Sequence, residues 1–250
     1  MNIGILPDVE MWEVVAAIQV CQSQGVSELV GGLTLDESLS WLVGAAGLRS
    51  VAVLQHDAAT WLATAKAYRE IGSAQETYPA VLARVSGLEP KKIGPPKLTK
   101  YSGFIPSMDG GIVVCSHEVT SEFKLPWQVW KAIVRHLRSY GQTVRFLGRP
   151  GERMDYAAFT EGQILSNLSL QERMQALASA SLVVGVPNEW TWIASAWGKK
   201  ILVLHPDDVP AERWFGFDVA PRTLGRLLYT HSQLQVPVIL AGLRKLISAM

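Results

Sequence analysis

Short apolar runs alternate with longer segments of helical periodicity in the first 88 residues of the chain. The runs predict strands at residues 3–6, 27–30 and 51–54, and the periodicity predicts helices at residues 11–22, 35–43, 58–71 and 78–85. Strands that are separated by helices need crossover connections, so we expect a parallel sheet. The alternation stops at residues 89–110, where prolines and lysines without periodicity indicate a linker or hinge.

The second half restarts the same alternation. It predicts strands at residues 111–115, 143–147, 182–186 and 201–204, and helices at residues 126–140, 169–179 and 236–247. Ser169 and Glu172 have the spacing of a capping box at the start of the second of these helices. Two Rossmann-like lobes with parallel sheets and an interdomain cleft, a GT-B-like α/β architecture, fit this order. The pattern fits a periplasmic-binding-type or a flavodoxin-like pair equally well.

The linker divides the chain into predicted domains. We expect a shortened N-terminal Rossmann-like lobe at residues 1–100, a C-terminal lobe at residues 101–235 and a terminal helix at residues 236–250.

Composition narrows the class of protein. A hydrophobic fraction of 48% and a charged fraction of 18% are typical of a globular chain, and the net charge of +1 gives no argument for a nucleic acid or a membrane surface. Cys21 and Cys115 lie in apolar patterns, which predicts buried free thiols. Because neither a signal peptide nor an apolar run of about 18 residues is present, we expect a soluble, cytoplasmic protein.

The most informative stretch is residues 183–204, which reads as a buried strand, a tight polar turn, a short helix and a second buried strand. In open α/β sheets the ligand lies outside the carboxyl ends of the strands, so the turn faces a predicted crevice. The N-terminus of the helix suits a phosphate, because its N–H groups and partial positive charge point outward. Pro187 and Glu189 in the turn do not fit this phosphate site.

Several side chains follow the other predicted strands. Thr120, Ser121 and Lys124 follow the strand at 111–115 and suit a diphosphate, or Lys124 is a solvated loop residue. Glu152 follows the next strand, where a ribose diol is bound in Rossmann folds, or it favours a helix N-terminus. Asp8 follows the first strand and is either a general base or a helix cap.

The sequence argues against several other kinds of functional site. The five histidines have no metal-ligand spacing, and we expect no metal site and no cofactor. The chain has no P-loop, no nucleophile elbow and no dinucleotide-binding glycine motif. The nine tryptophans either pack helices onto the sheets or form an aromatic floor for a sugar or base.

Four segments in sequence order resemble the C-terminal domain of the heptosyltransferase family of glycosyltransferases, family 9. They are residues 121–130, 145–152, 168–172 and 184–198, and the likeness extends over about residues 110–220. Lys124, Pro126 and Trp130 fit the family pattern K-x-W-P-x-x-x-W with one residue missing and the inner Trp absent. Residues 204–208 also look like the F-G-P-t-d segment of the family, and residues 6–9 like its G-D-v turn.

The resemblance implies roles for both lobes and for single residues. Residues 1–100 would form the acceptor-side lobe and residues 101–235 the nucleotide-sugar-binding lobe. Asp8 would be the catalytic base. The donor would be bound by Thr120, Ser121, Lys124, Glu152, Leu168, Asn188, Glu189 and Thr191. The largest departure lies at residues 187–192, where the family has Asp-[Ser/Thr]-Gly-x-x-His. Glu189 replaces the Gly that lets backbone approach phosphate, and Trp192 replaces the His.

Two functions are therefore expected from the sequence. The first is an inverting, metal-independent glycosyltransferase that moves a sugar from a nucleotide-sugar donor to a hydroxyl acceptor, either a saccharide or a hydroxylated base in DNA. The second is a non-catalytic GT-B-like protein that binds a nucleotide or a partner protein. The retained Asp8, Lys124 and Glu152 favour the first, and the altered turn favours the second.

Overall fold

The fold is described from a computed structural model of the chain. The structure describes residues 3–5, 11–32, 42–53, 60–71, 76–89, 98, 110–116, 123–147, 163–164, 168–206, 225–229 and 236–248. The chain divides into two compact units. The first contains Met1–Lys100 and Ala211–Asp218, and the second contains Tyr101–Pro210 and Val219–Met250.

The first unit contains a parallel sheet with helices in the crossovers. Its elements are β1 (Ile3–Ile5), α1 (Met11–Gln24), β2 (Glu28–Gly32), β3 (Arg49–Val53), β4 (Thr60–Trp61), α2 (Thr64–Glu70) and α3 (Tyr78–Val85). The strand order is β3-β2-β1-β4, and every pairing is parallel. Helix α1 forms where the periodicity predicts a helix, and all of its residues 14–21 are buried. The predicted helix at 35–43 falls mostly outside the described residues.

The prediction of a helix at residues 58–71 is wrong for its first residues. Thr60 and Trp61 form β4, which pairs with Ile3 and Gly4 of β1, and α2 begins only at Thr64. Thr and Trp are good strand formers, and the edge of β1 offers backbone partners that periodicity in a single sequence does not reveal. Pairing across the sheet therefore outweighs the local helical pattern.

The second unit contains a six-stranded parallel sheet. Its elements are β5 (Ile112–Cys115), α4 (Trp127–Ser139), β6 (Val144–Leu147), β7 (Gln163–Ile164), α5 (Leu170–Ser179), β8 (Leu182–Gly185), α6 (Glu189–Ala196), β9 (Ile201–Pro206), β10 (Gly225–Tyr229) and α7 (Val236–Ser248). Strands β7 and β10 are not predicted from the sequence. The capping box of Ser169 and Glu172 at the start of α5 is confirmed.

The order of these strands is β10-β9-β8-β5-β6-β7, with parallel pairing throughout. Counted within the unit, this is the order 3-2-1-4-5-6 of dinucleotide-binding Rossmann folds. Strands β5, β6, β8 and β9 are buried along their whole length, as expected of strands covered on both faces. The predicted class, α/β with Rossmann-like parallel sheets, is confirmed.

No helix in the described ranges is both long and apolar enough to cross a membrane. Cys21 and Cys115 are buried free thiols, as predicted. Burial raises the pKa of the Cys21 thiol to about 12, which makes it inert at neutral pH.

Candidate functional site

The strand order of the second unit defines one point where a ligand crevice is expected. From β5 the chain crosses to β6 and β7 on one side, and from β8 it continues to β9 and β10 on the other. Ligands of open α/β sheets bind outside the carboxyl ends of strands at such a switch point. Here those ends are Cys115 of β5 and Gly185 of β8, which are register partners.

Gly185 is required because three elements meet at this point. A Cβ at Gly185 would lie 2.8 Å from the carbonyl oxygen of Cys115, 2.8 Å from Thr191 Cγ2 and 3.0 Å from Cys115 Cβ. Real Cβ atoms essentially never approach a backbone oxygen that closely. The missing side chain therefore lets α6 pack directly against the ends of β5 and β8.

The turn that follows β8 is closed by a capping box. Asn188 is the N-cap of α6, and its Oδ1 accepts a hydrogen bond from the Thr191 N–H at 3.0 Å. In return, the Asn188 N–H donates to Thr191 Oγ1 at 3.0 Å. The Asn188 amide also donates to the carbonyl of Cys115 at 3.4 Å, which ties the cap to β5. Both side chains are fully buried, so their polar groups serve the turn itself.

Glu189 is the first residue of α6 and is only 6% exposed. A carboxylate in the first turn of a helix is favoured by the helix dipole. Burial, reinforced by the negative charge of Glu189, raises the pKa of Cys115 well above its usual value. Cys115 is the last residue of β5, at the end of the strand where the Rossmann pattern predicts a ligand.

Lys124 lies on a segment that is anchored on both sides. Phe123 and Leu125 are buried, whereas Lys124 between them is exposed. The Phe123 ring packs against His205 with centroids 5.6 Å apart, and His205 is the fifth of the six residues of β9. The contact places the Lys124 segment at the carboxyl edge of the same sheet. The chain thus presents an exposed cation there, and the contact of Lys124 with a diphosphate stays a prediction.

Of the remaining predicted site residues, only Leu168 is among the residues that the structure describes. Leu168 is half-buried, one residue before the cap of α5. Asp8, Thr120, Ser121 and Glu152 lie outside the described residues, so their roles stay predictions. In the first unit, β1 is flanked by β2 and β4, and Asp8 follows β1 by three residues in the sequence.

The tryptophans near α6 pack in the core. Trp190 and Trp192 are fully buried and Trp197 is nearly so, and the guanidinium carbon of Arg173 lies 5.7 Å from the Trp190 ring centroid. Of the two interpretations of these rings, helix packing is the one that their burial fits. Within the described residues, no group of three or more His, Cys, Asp or Glu side chains is arranged to hold a metal.

Sequence reasoning missed two residues at this edge. Ser116 directly follows β5 and is buried, and His205 is buried near the end of β9 with its Nδ1 2.5 Å from the Pro206 carbonyl oxygen. The signal for both was present in the sequence, because each stands at the carboxyl end of a predicted strand. The capping box of Asn188 and Thr191 was also missed, since its last position holds Thr rather than Glu or Gln.

No protein-family model matches the chain, and no curated protein matches it in sequence. Solved structures do match. The dodecameric, iron-containing glycosyltransferase TibC from enterotoxigenic Escherichia coli H10407 superposes with a TM-score of 0.63 at 14% identity, over 92% of this chain and 62% of that chain. This chain is therefore similar to less than two thirds of TibC.

Two further structures match over nearly their whole length. The E. coli heptosyltransferase WaaC, solved with ADP-2-deoxy-2-fluoro heptose, has a TM-score of 0.61 at 12% identity over 98% of this chain and 99% of that chain. A family 9 glycosyltransferase from Veillonella parvula DSM 2008 has a TM-score of 0.62 at 9% identity over 99% and 96%. The chain has the fold of these glycosyltransferases, as the resemblance predicted.

Proposed function

We propose that the chain is a glycosyltransferase that moves a sugar from a nucleotide-sugar donor to a hydroxyl acceptor. The observation that carries the proposal is the likeness to WaaC across almost the full length of both chains, since that enzyme is solved with a nucleotide-sugar analogue. The Rossmann strand order supports it, because this order provides a nucleotide crevice at the ends of β5 and β8.

The second unit is the donor-binding part in this proposal. Lys124 supplies a compact charge for the diphosphate from the carboxyl edge of the sheet. Thr120 and Ser121 add hydroxyl donors, Glu152 binds the ribose, and Leu168 contacts the base. Asn188 and Thr191 contribute by fixing the turn before α6, because their own polar groups are bonded to each other.

The reaction is a single displacement with inversion. Asp8 accepts the proton of the acceptor hydroxyl, the oxygen attacks the anomeric carbon, and the bond from that carbon to the diphosphate breaks. The nucleoside diphosphate departs with the electron pair, and Lys124 stabilises its charge. No metal takes part in the proposed step. The acceptor is a saccharide or, as a second choice, a hydroxylated base in DNA. The proposed location is the cytoplasm, which is consistent with two cysteines that are free thiols.

Turnover with an Asp8 variant tests the proposal. Asp8→Asn keeps the size and most of the capping ability of Asp8, so the free energy of unfolding should fall by less than the ~1 kcal/mol of a lost cap. The transfer rate should fall by about 10²–10⁴-fold, the usual contribution of a positioned base. Transfer at the parent rate would make Asp8 a cap. Loss of parent activity in EDTA would contradict the metal-independent step.

A second candidate is a non-catalytic protein that binds a nucleotide or a partner. The altered turn favours it, because Glu189 stands where the family has the Gly that lets backbone approach phosphate. A thermal-shift panel of nucleotide sugars, followed by transfer assays on saccharides and modified-base DNA, separates the two functions. Stabilisation by a donor without transfer to any acceptor would support the second candidate.

A further inference from the structure

Helix α7 is apolar around its whole circumference for most of its length. Its residues 236–243 are Val, Pro, Val, Ile, Leu, Ala, Gly and Leu, without a polar side chain among them. A helix of this kind is normally enclosed, either by the rest of the protein or by lipid. Helix α7 packs against α4 and β10, and its residues Ile239 and Leu243 are buried. The protein therefore encloses one side of the helix.

Another side of α7 is open to solvent. Pro237, Val238 and Ala241 are exposed, and Val238, at 60%, is the most exposed large hydrophobic residue among those that the structure describes. Ala241 follows the other two by four and three residues, so the three side chains are neighbours on the surface of the helix. Contiguous apolar side chains on a protein surface mark sites of interaction with a protein or a membrane.

The charges on the two helices have a single sign. No Asp or Glu lies on α4 or α7, whereas Lys or Arg stands at five positions, namely Lys131, Arg135, Arg138, Arg244 and Lys245. Arg135, Arg244 and Lys245 are exposed, and none of these three takes part in an ion pair between described residues. The whole chain has a net charge of only +1. The positive charge is thus local, and it favours an anionic partner.

Residues at the carboxyl ends of α4 and α7 line an apolar cavity of about 210 Å³. Its walls include Leu137 and Tyr140 at the end of α4, Ile247 at the end of α7, and the first residues of β5 and β8, Ile112 and Leu182. The cavity therefore lies at the amino edge of the sheet, whereas the nucleotide crevice is expected at the carboxyl edge. This surface is separate from the proposed donor site.

We propose that α7 and the last turns of α4 form a docking surface for an anionic phospholipid bilayer. Pro237, Val238 and Ala241 enter the boundary between headgroups and acyl chains, and the cations of the two helices lie against the lipid phosphates. The inference goes beyond the proposed function and does not depend on it.

Three other occupants fit this surface less well. Two copies of the surface would bring their cations together without a carboxylate from α4 or α7. A nucleic acid would neutralise the cations and leave the apolar side chains uncovered. A protein partner binds mainly through large anchors such as Trp, Tyr and Arg in pockets, whereas Pro237, Val238 and Ala241 are small and stand out from the surface. A bilayer needs no shape complementarity to cover them.

Co-sedimentation of the full chain with lipid vesicles tests the proposal. One set of vesicles consists of phosphatidylcholine alone, and in the other a third of the lipid is phosphatidylglycerol. The double variant Arg244→Gln, Lys245→Gln removes two cations of the surface, and Val238→Glu places a charge among its apolar side chains. The double variant Lys66→Gln, Arg69→Gln is the matched control, because it removes two exposed cations from α2 in the first unit. Thermal unfolding checks that each variant is folded.

The wild type should bind the anionic vesicles and should bind the neutral vesicles at least about tenfold more weakly. The double variant at 244 and 245 should bind the anionic vesicles about thirtyfold more weakly than the wild type, because each cation near an anionic leaflet contributes about fivefold. Val238→Glu should weaken this binding about tenfold, since binding also depends on the apolar area that enters the bilayer. The control should bind as the wild type does.

Failure of the wild type to bind anionic vesicles would overturn the proposal, as would equal binding by the wild type and the double variant at 244 and 245. Two further measurements separate the other occupants. A dimer in sedimentation velocity that Val238→Glu dissociates, without vesicle binding, would assign the surface to a second copy and overturn the proposal. Binding of duplex DNA that the same double variant abolishes, again without vesicle binding, would overturn it in favour of a nucleic acid.

Discussion

Helices α5 and α6 begin with the same local motif in different surroundings. On α5, the Ser169 N–H donates to Glu172 Oε2 at 2.8 Å, and the Glu172 N–H donates to Ser169 Oγ at 3.3 Å. On α6, Asn188 and Thr191 exchange the equivalent bonds at 3.0 Å each. Ser169 is exposed, whereas Asn188 and Thr191 are completely buried. Water can replace the bonds of the first cap but not those of the second.

The carboxylates in the two first turns differ in the same way. Hydrogen bonds from Ser169 lower the pKa of Glu172, which stays in contact with solvent. Glu189 is buried, and its charge acts on Cys115 at the end of the neighbouring strand. A cap in solvent stabilises one helix, whereas the buried cap also joins its helix to β5 through the bond from the Asn188 amide to the Cys115 carbonyl. Four experiments test how the exposed start of α5 and the buried carboxyl edge around α6 differ in stability and binding.

Gly185→Ala should have the largest effect on stability, because it disturbs the packing of the buried cap and leaves the exposed cap of α5 unchanged. The new Cβ would lie 2.8 Å from the Cys115 carbonyl oxygen, and this clash is hard to relieve because the contacted atom belongs to the backbone. We expect the free energy of unfolding to fall by about 3 kcal/mol, at the upper end for overpacking. Urea denaturation measures it. Gly44→Ala is the control, since no atom lies within 4 Å of its Cβ, and a stability loss there as large as at Gly185 would contradict the explanation.

Asn188→Ala and Ser169→Ala compare the two caps directly. The buried variant leaves the Thr191 N–H without the acceptor Asn188 Oδ1, and it removes the bond from the Asn188 amide to the Cys115 carbonyl, which keeps the bond from the Val186 N–H at 3.4 Å. We expect a loss of about 2–3 kcal/mol for Asn188→Ala and about 1 kcal/mol for Ser169→Ala. Chemical denaturation of both variants gives the difference. Equal losses would mean that burial does not distinguish the caps.

Lys124→Ala should affect binding and leave stability unchanged. Lys124 is exposed, so truncation removes a charge without opening the core. If it contacts the donor diphosphate, the affinity for a nucleoside diphosphate should fall by at least about 1.5 kcal/mol, or about tenfold. Calorimetry measures this. Lys131→Ala on α4, another lysine of the same unit, serves as the control, and an unchanged affinity of Lys124→Ala would make Lys124 a solvated loop residue.

Glu172→Gln should have the smallest effect, visible only in the pH dependence of stability. Because the pKa of Glu172 is lowered from 4.5 in the folded state, its ionised form stabilises the fold above that value. The contribution is lost as pH falls through the lower, folded-state pKa. Thermal unfolding of both proteins from pH 7 to pH 3 checks this. Glu172→Gln should lack the part of the stability loss that comes from protonation of Glu172. An equal loss of stability in both proteins between pH 7 and pH 3 would contradict this prediction.

Much of the fold could be predicted because strands and helices differ in hydrophobic period. Helix α3 forms over the predicted residues 78–85, and β5, β6, β8 and β9 lie within about two residues of their predicted bounds. Strands β4 and β7 are two residues long, too short for a period to be recognised, and β10 was not predicted. Each forms because a neighbouring strand offers its backbone groups.

The candidate site was predictable only in part. Lys124 and the turn at 187–189 could be found from their positions after predicted strands, because the carboxyl ends of parallel strands share one edge. Position after a strand does not separate residues that face the crevice from residues that build its wall. Asn188 and Thr191 belong to the wall, since each bonds to the other's backbone.

The sequence by itself determined the α/β class and the parallel pairing, since these depend on hydrophobic period and on the need for crossovers. Only the tertiary structure decided that β8 pairs with β5 and that Gly185 is therefore needed. It also decided that Glu189 is buried and that Asn188 is bonded to the Cys115 carbonyl. Those facts depend on residues about 70 positions apart in the chain, and no local pattern encodes the distance between them.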